Sequence, residues 1–164
     1  MSVPTRPKPA RPHEPGDQAR SDELVDLLVG VVARQRRHFE NCAAQCDLSP
    51  PQATALLHLA SPVPMRELAV RVGCDASNVT GLVDRLEERG LLQRRPLAGD
   101  RRIKLLALTE QGSEVRRRLH RRVYDESPLV AALAPGNRAL LRDLLREAAV
   151  ADPERPQSVT RGAR

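Results

Sequence analysis

Aromatic side chains are nearly absent from this sequence. Phe39 and Tyr124 are the whole complement, and tryptophan is missing. A core must therefore be built from Leu, Val and Ala, which favours helices packed on helices over a β-sandwich. Long apolar runs are absent too. None approaches the ~20 residues that a membrane-spanning helix needs, and the N-terminal residues form no apolar stretch of the signal-peptide kind. Together these absences predict a cytoplasmic protein with no membrane partner. Cysteine is scarce and odd in number. Cys42, Cys46 and Cys74 have neither finger-like spacing nor the look of a disulfide framework. Catalytic signatures are missing as well: there is no Gly-rich phosphate loop, no His-Glu-x-x-His and no nucleophile elbow. His13, His38, His58 and His120 are scattered along the chain. The expectation is a protein that is not an enzyme and uses no cofactor.

What the sequence does have is arginine, unevenly placed. The formal net charge is +6, and lysine occurs only at Lys8 and Lys104. Residues 94–104 carry +4 and residues 115–123 carry +5, so the remainder of 21–149 is acidic. Basic patches on an acidic body point to a polyanion partner better than net charge does. A solvated arginine-rich surface is the plain alternative.

The chain divides by composition. Residues 1–20 hold Pro4, Pro7, Pro9, Pro12 and Pro15, which predicts a disordered arm. From Ser21 to about Cys46, Leu24, Leu27, Leu28, Val31 and Val32 recur at helical spacing. Ser49-Pro50 is an N-cap followed by proline at the first helical position, opening a second helix that runs to about Ala60. Pro64 opens a third helix, 64–72. A fourth spans about 75–89, with Asp75 as N-cap and Gly90 past its end. Residues 91–108 read as a β-hairpin with a long tip. Thr109 caps a fifth helix, about 110–133, in which Pro128 predicts a kink or break. A sixth, about 137–149, aligns Leu140, Leu141, Leu144, Leu145 and Ala148. Residues 150–164 read as a disordered polar tail.

The stretch "VGCDASNVTG", residues 72–81, carries the most information. Ala69 is small where two helices meet, and Gly73 sits where a tight turn needs positive φ. Val79 and Leu82 follow where the second helix packs back, the pattern of a helix-turn-helix. An ordinary helical hairpin shares that pattern. On a helical wheel Val79, Leu82, Val83 and Leu86 cluster on one side. Ser77, Gly81 and Asp84 lie opposite, flanked by Asn78, Arg85 and Thr80. A helix entering a major groove needs short donors and acceptors near its N-terminus. Gly81 fits a need for close approach to DNA, or alternatively slack in packing. The hairpin adds Arg94, Arg95, Arg101, Arg102 and Lys104 for phosphate or minor groove, with Asp100 bracing a neighbouring arginine. In an extended strand Asp100 and Arg102 point to the same side.

"DASNVTGLVDRLEERGLLQRR" followed by "GDRRIKLLALTEQG" resembles the MarR family of bacterial transcriptional regulators, specifically over about 49–112 and by helix layout over 21–149. The resemblance implies a mainly α fold: a winged helix-turn-helix with long N- and C-terminal dimerisation helices and a two-stranded β wing. Its winged-helix part would be 48–108, with dimerisation helices in 21–47 and 109–149. It implies a homodimer on palindromic double-stranded DNA, usually a repressor, released by a small organic effector or by cysteine oxidation. Ser77, Asn78, Thr80, Gly81 and Arg85 would face the bases, and Arg94, Arg95 and Arg101 would lie along the wing. Arg102 would enter the minor groove with Asp100 orienting it.

Two other readings compete. His38, Cys42 and Cys46 recur every four residues along one helix face, so pairs of them suit a metal, or a thiol suits oxidant sensing. Buried small hydrophobes are the plainer account of the cysteines, and three ligands spread over ~12 Å of helix cannot share one ion. The second competitor is a helical interaction module without DNA, using "RRRLHRR" at 116–122 as its partner site.

Overall fold

The computed structural model describes residues 15–73, 76–97 and 100–150, with backbone alone considered at 15–18, 76–77, 100–103 and 150. The helix order is α1 (Pro15–Ala44), α2 (Pro50–His58), α3 (Met65–Val72), α4 (Ala76–Glu88), α5 (Glu110–His120), α6 (Pro128–Ala131) and α7 (Pro135–Val150). Three strands, β1 (Val63–Pro64), β2 (Leu92–Leu97) and β3 (Asp100–Leu108), form one antiparallel sheet in the order β1-β3-β2. The described residues divide into two compact units, one ending at Arg36 and the other beginning at Arg37.

The expected start of α1 moves. The helix begins at Pro15, inside the stretch read as a disordered arm. Proline is at home in the first turn of a helix, where its missing N–H costs nothing, so the last proline of the arm opens the helix. Residues 1–14 and the tail from 151 lie outside the described residues, as do Cys74 and the expected cap Asp75.

α2 starts as the sequence predicts. The Ser49 side chain accepts from the Gln52 N–H and the Gln52 side chain accepts from the Ser49 N–H, a complete capping box. α3 ends on Gly73, whose φ of 64° is left-handed, as the turn into α4 demands. Helix α3 begins at Met65 because Pro64 serves as its extended N-cap.

The wing differs from expectation in two ways. Val63 and Pro64 pair with Leu106 and Leu105, adding a third strand. Two residues are too few for periodicity to register, and Pro64 is tolerated because β1 is an edge strand. The tip is short rather than long: pairing continues to Leu97↔Asp100, leaving only 98 and 99 between the strands.

The fifth predicted helix divides before Pro128. A π-helical turn, Arg121–Asp125, follows α5. There the Glu126 N–H bonds to the Arg121 carbonyl, 3.0 Å away and five residues back. That leaves the Arg122 carbonyl to the His38 ring, with Nε2 at 3.1 Å. A side chain from α1 has thus taken an acceptor that a continuous α-helix would have used.

The core is mainly Leu, Val and Ala, with Cys42 and Cys46 in it and Phe39 packed against it. Leu56, Leu68, Val79, Val83, Leu86, Leu91, Leu92, Leu106 and Leu119 are its largest fully buried side chains. Ala69 of α3 is buried in the core cluster. Among the described residues, no helix is long and apolar enough to cross a membrane.

Candidate nucleic-acid interface

Helix α4 is held by its apolar side. Val79, Val83 and Leu86 are fully buried, and Leu82 packs against the core from a partly exposed position. The opposite side faces solvent: Asn78, Thr80, Gly81 and Arg85 are all exposed. A Cβ built on Gly81 meets nothing within 4 Å. Packing among the described residues therefore gives no reason for glycine there. Glycine there costs about 1 kcal/mol of helix propensity relative to Ala. Ser77 belongs to the same helix, and its side chain lies outside the described residues.

The hairpin leaves the core beside α4 and carries the basic residues. Arg95 is exposed on β2. Asp100, Arg101 and Arg102 are strand residues by backbone, with side chains outside the described set. Pro96 pairs with Lys104 but Leu97 pairs with Asp100, so the register slips and residues 101–103 have no counterparts in β2. Regular alternation therefore does not carry the argument that Asp100 and Arg102 share a side. Irregularities of this kind re-aim side chains at the ends of sheets.

Arg94 is placed differently from its neighbours. Its guanidinium turns back onto α4, where Nη2 donates to Asp84 Oδ1 at 2.5 Å and Nη1 donates to Glu87 Oε2. Its backbone N–H donates to Glu87 Oε1 at 3.1 Å. The hydrogen bond to Asp84 is the largest of the influences that hold the guanidinium's pKa above its ordinary value. The Arg94 fork, expected to face phosphate, is engaged in this structure by two carboxylates of its own chain. The spacing of Asp84 and Glu87, i and i+3 on one helix face, was the available signal.

The helix-one cysteines are buried, and His38 is half-buried beside them. Cys42 and Cys46 are buried in the core cluster. Cys42 Sγ lies 3.7 and 3.9 Å from the His38 ring nitrogens. Burial pushes the Cys42 thiol up, with the charge of Arg122 opposing, so the reactive thiolate is disfavoured. Among the described residues, no three His, Cys, Asp or Glu side chains are grouped to hold a metal. In the "RRRLHRR" segment, Arg117, Arg118 and Arg121 are exposed, while Arg122 donates to Gln45 Oε1.

The chain is similar in sequence and fold to known regulators. The sequence profile of the MarR family matches residues 48–104. The transcriptional repressor CouR, solved on a 23-mer DNA duplex, is 32% identical, with a TM-score of 0.65 over 79% of this chain and 94% of that one. CouR from Rhodococcus jostii RHA1, solved with p-coumaroyl-CoA, is 30% identical, with a TM-score of 0.64 over 84% of this chain and 97% of that one. The HTH-type transcriptional regulator YfiV of Bacillus subtilis is 36% identical over 76 residues, which are 45% of this chain and 48% of YfiV. The chain thus spans about half the length of this curated relative.

Proposed function

Because the chain belongs to the MarR family of DNA-binding transcriptional regulators, we propose that it is a homodimeric repressor that reads a palindromic operator and is released by a small organic effector. The observation that carries this reading is the exposed, small and polar face of α4 beside a basic hairpin. Short polar groups admit the helix to a major groove, and the wing adds charge for phosphate or minor groove. In this reading Ser77, Asn78, Thr80, Gly81 and Arg85 face bases. Arg95, Arg101 and Arg102 contact the backbone or minor groove, and Asp100 orients Arg102. Release by an organic ligand rather than a thiol switch is supported by the buried, pKa-raised Cys42 and by the ligand-bound CouR neighbour.

The wing assignment is tested by sign. Arg102→Ala should weaken operator binding and flatten its salt dependence by roughly one counterion. Asp100→Ala removes a negative charge near DNA, so simple electrostatics expects tighter binding. Bracing expects weaker binding. Fluorescence anisotropy of both variants across a salt series decides it, and tighter binding by Asp100→Ala leaves the wing a nonspecific basic patch.

The dimer reading rests on exposed apolar side chains of the terminal helices. Leu140, Leu144 and Leu145 of α7 are each at least half exposed, as are Leu24, Leu27 and Val32 of α1. Apolar stripes left exposed on terminal helices are commonly buried against another chain. Deleting 135–164 removes α7 and should leave a monomeric or unstable chain. A stable dimer of that truncation in light scattering takes α7 out of the interface.

A further inference from the structure

The geometry points to Arg94 as a positioning residue that fastens the wing to the recognition helix through Asp84 and Glu87, so that the two elements meet DNA as one body. This rests on the DNA-binding reading above, and it assigns Arg94 no contact with nucleic acid.

Three observations carry it. Strand β2 is at the edge of the sheet, so its outward N–H groups have no strand to pair with. Glu87 accepts the one at Arg94, which ties the strand's backbone, not only a side chain, to α4. The guanidinium then spans both carboxylates of α4, reaching Glu87 Oε2 with one nitrogen and Asp84 Oδ1 with the other. A fork held on two anchors one helical turn apart restricts rotation of the hairpin about the helix as a single ion pair does not. Finally, the Arg94 side chain is three-quarters buried. Ion pairs in full solvent contribute little, whereas a partly desolvated, doubly bonded one is directional and costly to break.

The clamp has an electrostatic side too. Asp84 and Glu87 are two acidic groups on the helix proposed to enter a groove lined by phosphates. Both are partly exposed. Left unpaired they would repel DNA, and the fork of Arg94 offsets them.

Removing the carboxylates separates this role from that of a phosphate ligand, because the two predict opposite signs. If Arg94 is a phosphate contact held in check by Asp84 and Glu87, then Asp84→Ala and Glu87→Ala free it and tighten binding to every duplex. If Arg94 is a clamp, both variants lose operator affinity although each sheds a negative charge. Random-duplex affinity should hold or rise, so the operator-to-random ratio falls by roughly tenfold, the scale of one lost base contact. The probes are a duplex from the region flanking the protein's own gene and a scrambled duplex of equal length, measured by anisotropy. A DNA-free arm reads the clamp directly. Amide hydrogen exchange at Arg94 should be slow in the native chain and should quicken in Glu87→Ala, while the amides of Leu56 and Leu119 in the core stay protected. The milder Asp84→Asn and Glu87→Gln variants supply the same readouts if an alanine variant folds poorly. Tighter operator binding by the carboxylate variants, or unchanged Arg94 exchange in Glu87→Ala, overturns the clamp. A native chain that binds neither duplex defeats the DNA reading, and the exchange arm still decides whether the fastening exists.

Discussion

Gly112→Ala is expected to destabilise the protein by about 3 kcal/mol or more, a large part of the ~5–15 kcal/mol that holds a domain of this size. The reason is a backbone contact. A Cβ at residue 112 would lie 1.8 Å from the Leu91 carbonyl oxygen and 2.8 Å from its carbon. No side-chain rotation relieves that clash, because the obstacle is main chain. Either the first turn of α5 or the start of β2 must move. Moving it strains three hydrogen bonds that share the junction: Thr109 N–H to Leu91 O at 3.2 Å, Thr109 Oγ1 to Gly90 O at 2.6 Å, and Gly112 N–H to Thr109 Oγ1 at 3.0 Å. This junction joins the wing to α5. Gly136→Ala is the matched control, since a Cβ there meets nothing within 4 Å. Urea titration of both variants measures the difference. Equal stability would mean that the two elements separate more easily than their contacts imply.

Asn78→Ala is expected to cost about 1–3 kcal/mol of operator affinity and much less on random duplex. The side chain is exposed on the outer face of α4, so its loss removes no buried contact, and the fold should be indifferent to it. Gly81→Ala provides a contrast on the same face. With open space around the site, alanine should raise stability by up to about 1 kcal/mol through helix propensity alone. If the helix backbone lies close to bases, the same methyl group should weaken operator binding. Anisotropy and thermal melting on one preparation read both signs. Equal loss on operator and random DNA for Asn78→Ala would make the residue a phosphate contact, and unchanged operator binding by Gly81→Ala would remove the need for close approach.

Much of this was legible before any coordinates, wherever a local rule was strong. Ser49-Pro50-Pro51-Gln52 contains a whole capping box in four residues, and it forms. Gly73 and Gly90 occupy left-handed conformations at the helix ends where they were expected. The apolar stripe Val79, Val83, Leu86 states which side of α4 is buried, and the remaining face follows from 3.6-residue periodicity. These features depend on neighbours within one or two turns, so the chain encodes them locally.

Other features depend on partners far along the chain, and only the tertiary structure decided them. Arg94 reads as one more wing arginine until the fold brings it against Asp84 and Glu87, ten and seven residues earlier. β1 exists because β3 offers Leu105 and Leu106 as pairing partners, not because Val63-Pro64 has a strand pattern. The π turn after α5 follows from His38, 84 residues before the carbonyl it engages. Gly112 shows the limit most plainly. Within the helix it only lowers propensity, and its necessity lies in the Leu91 backbone lying where a Cβ would stand. Periodicity and capping set which elements form and which faces are apolar, because those are properties of consecutive residues. Which charges are spent inside the protein and which remain for DNA is set by distances between elements, which exist only once the chain has folded.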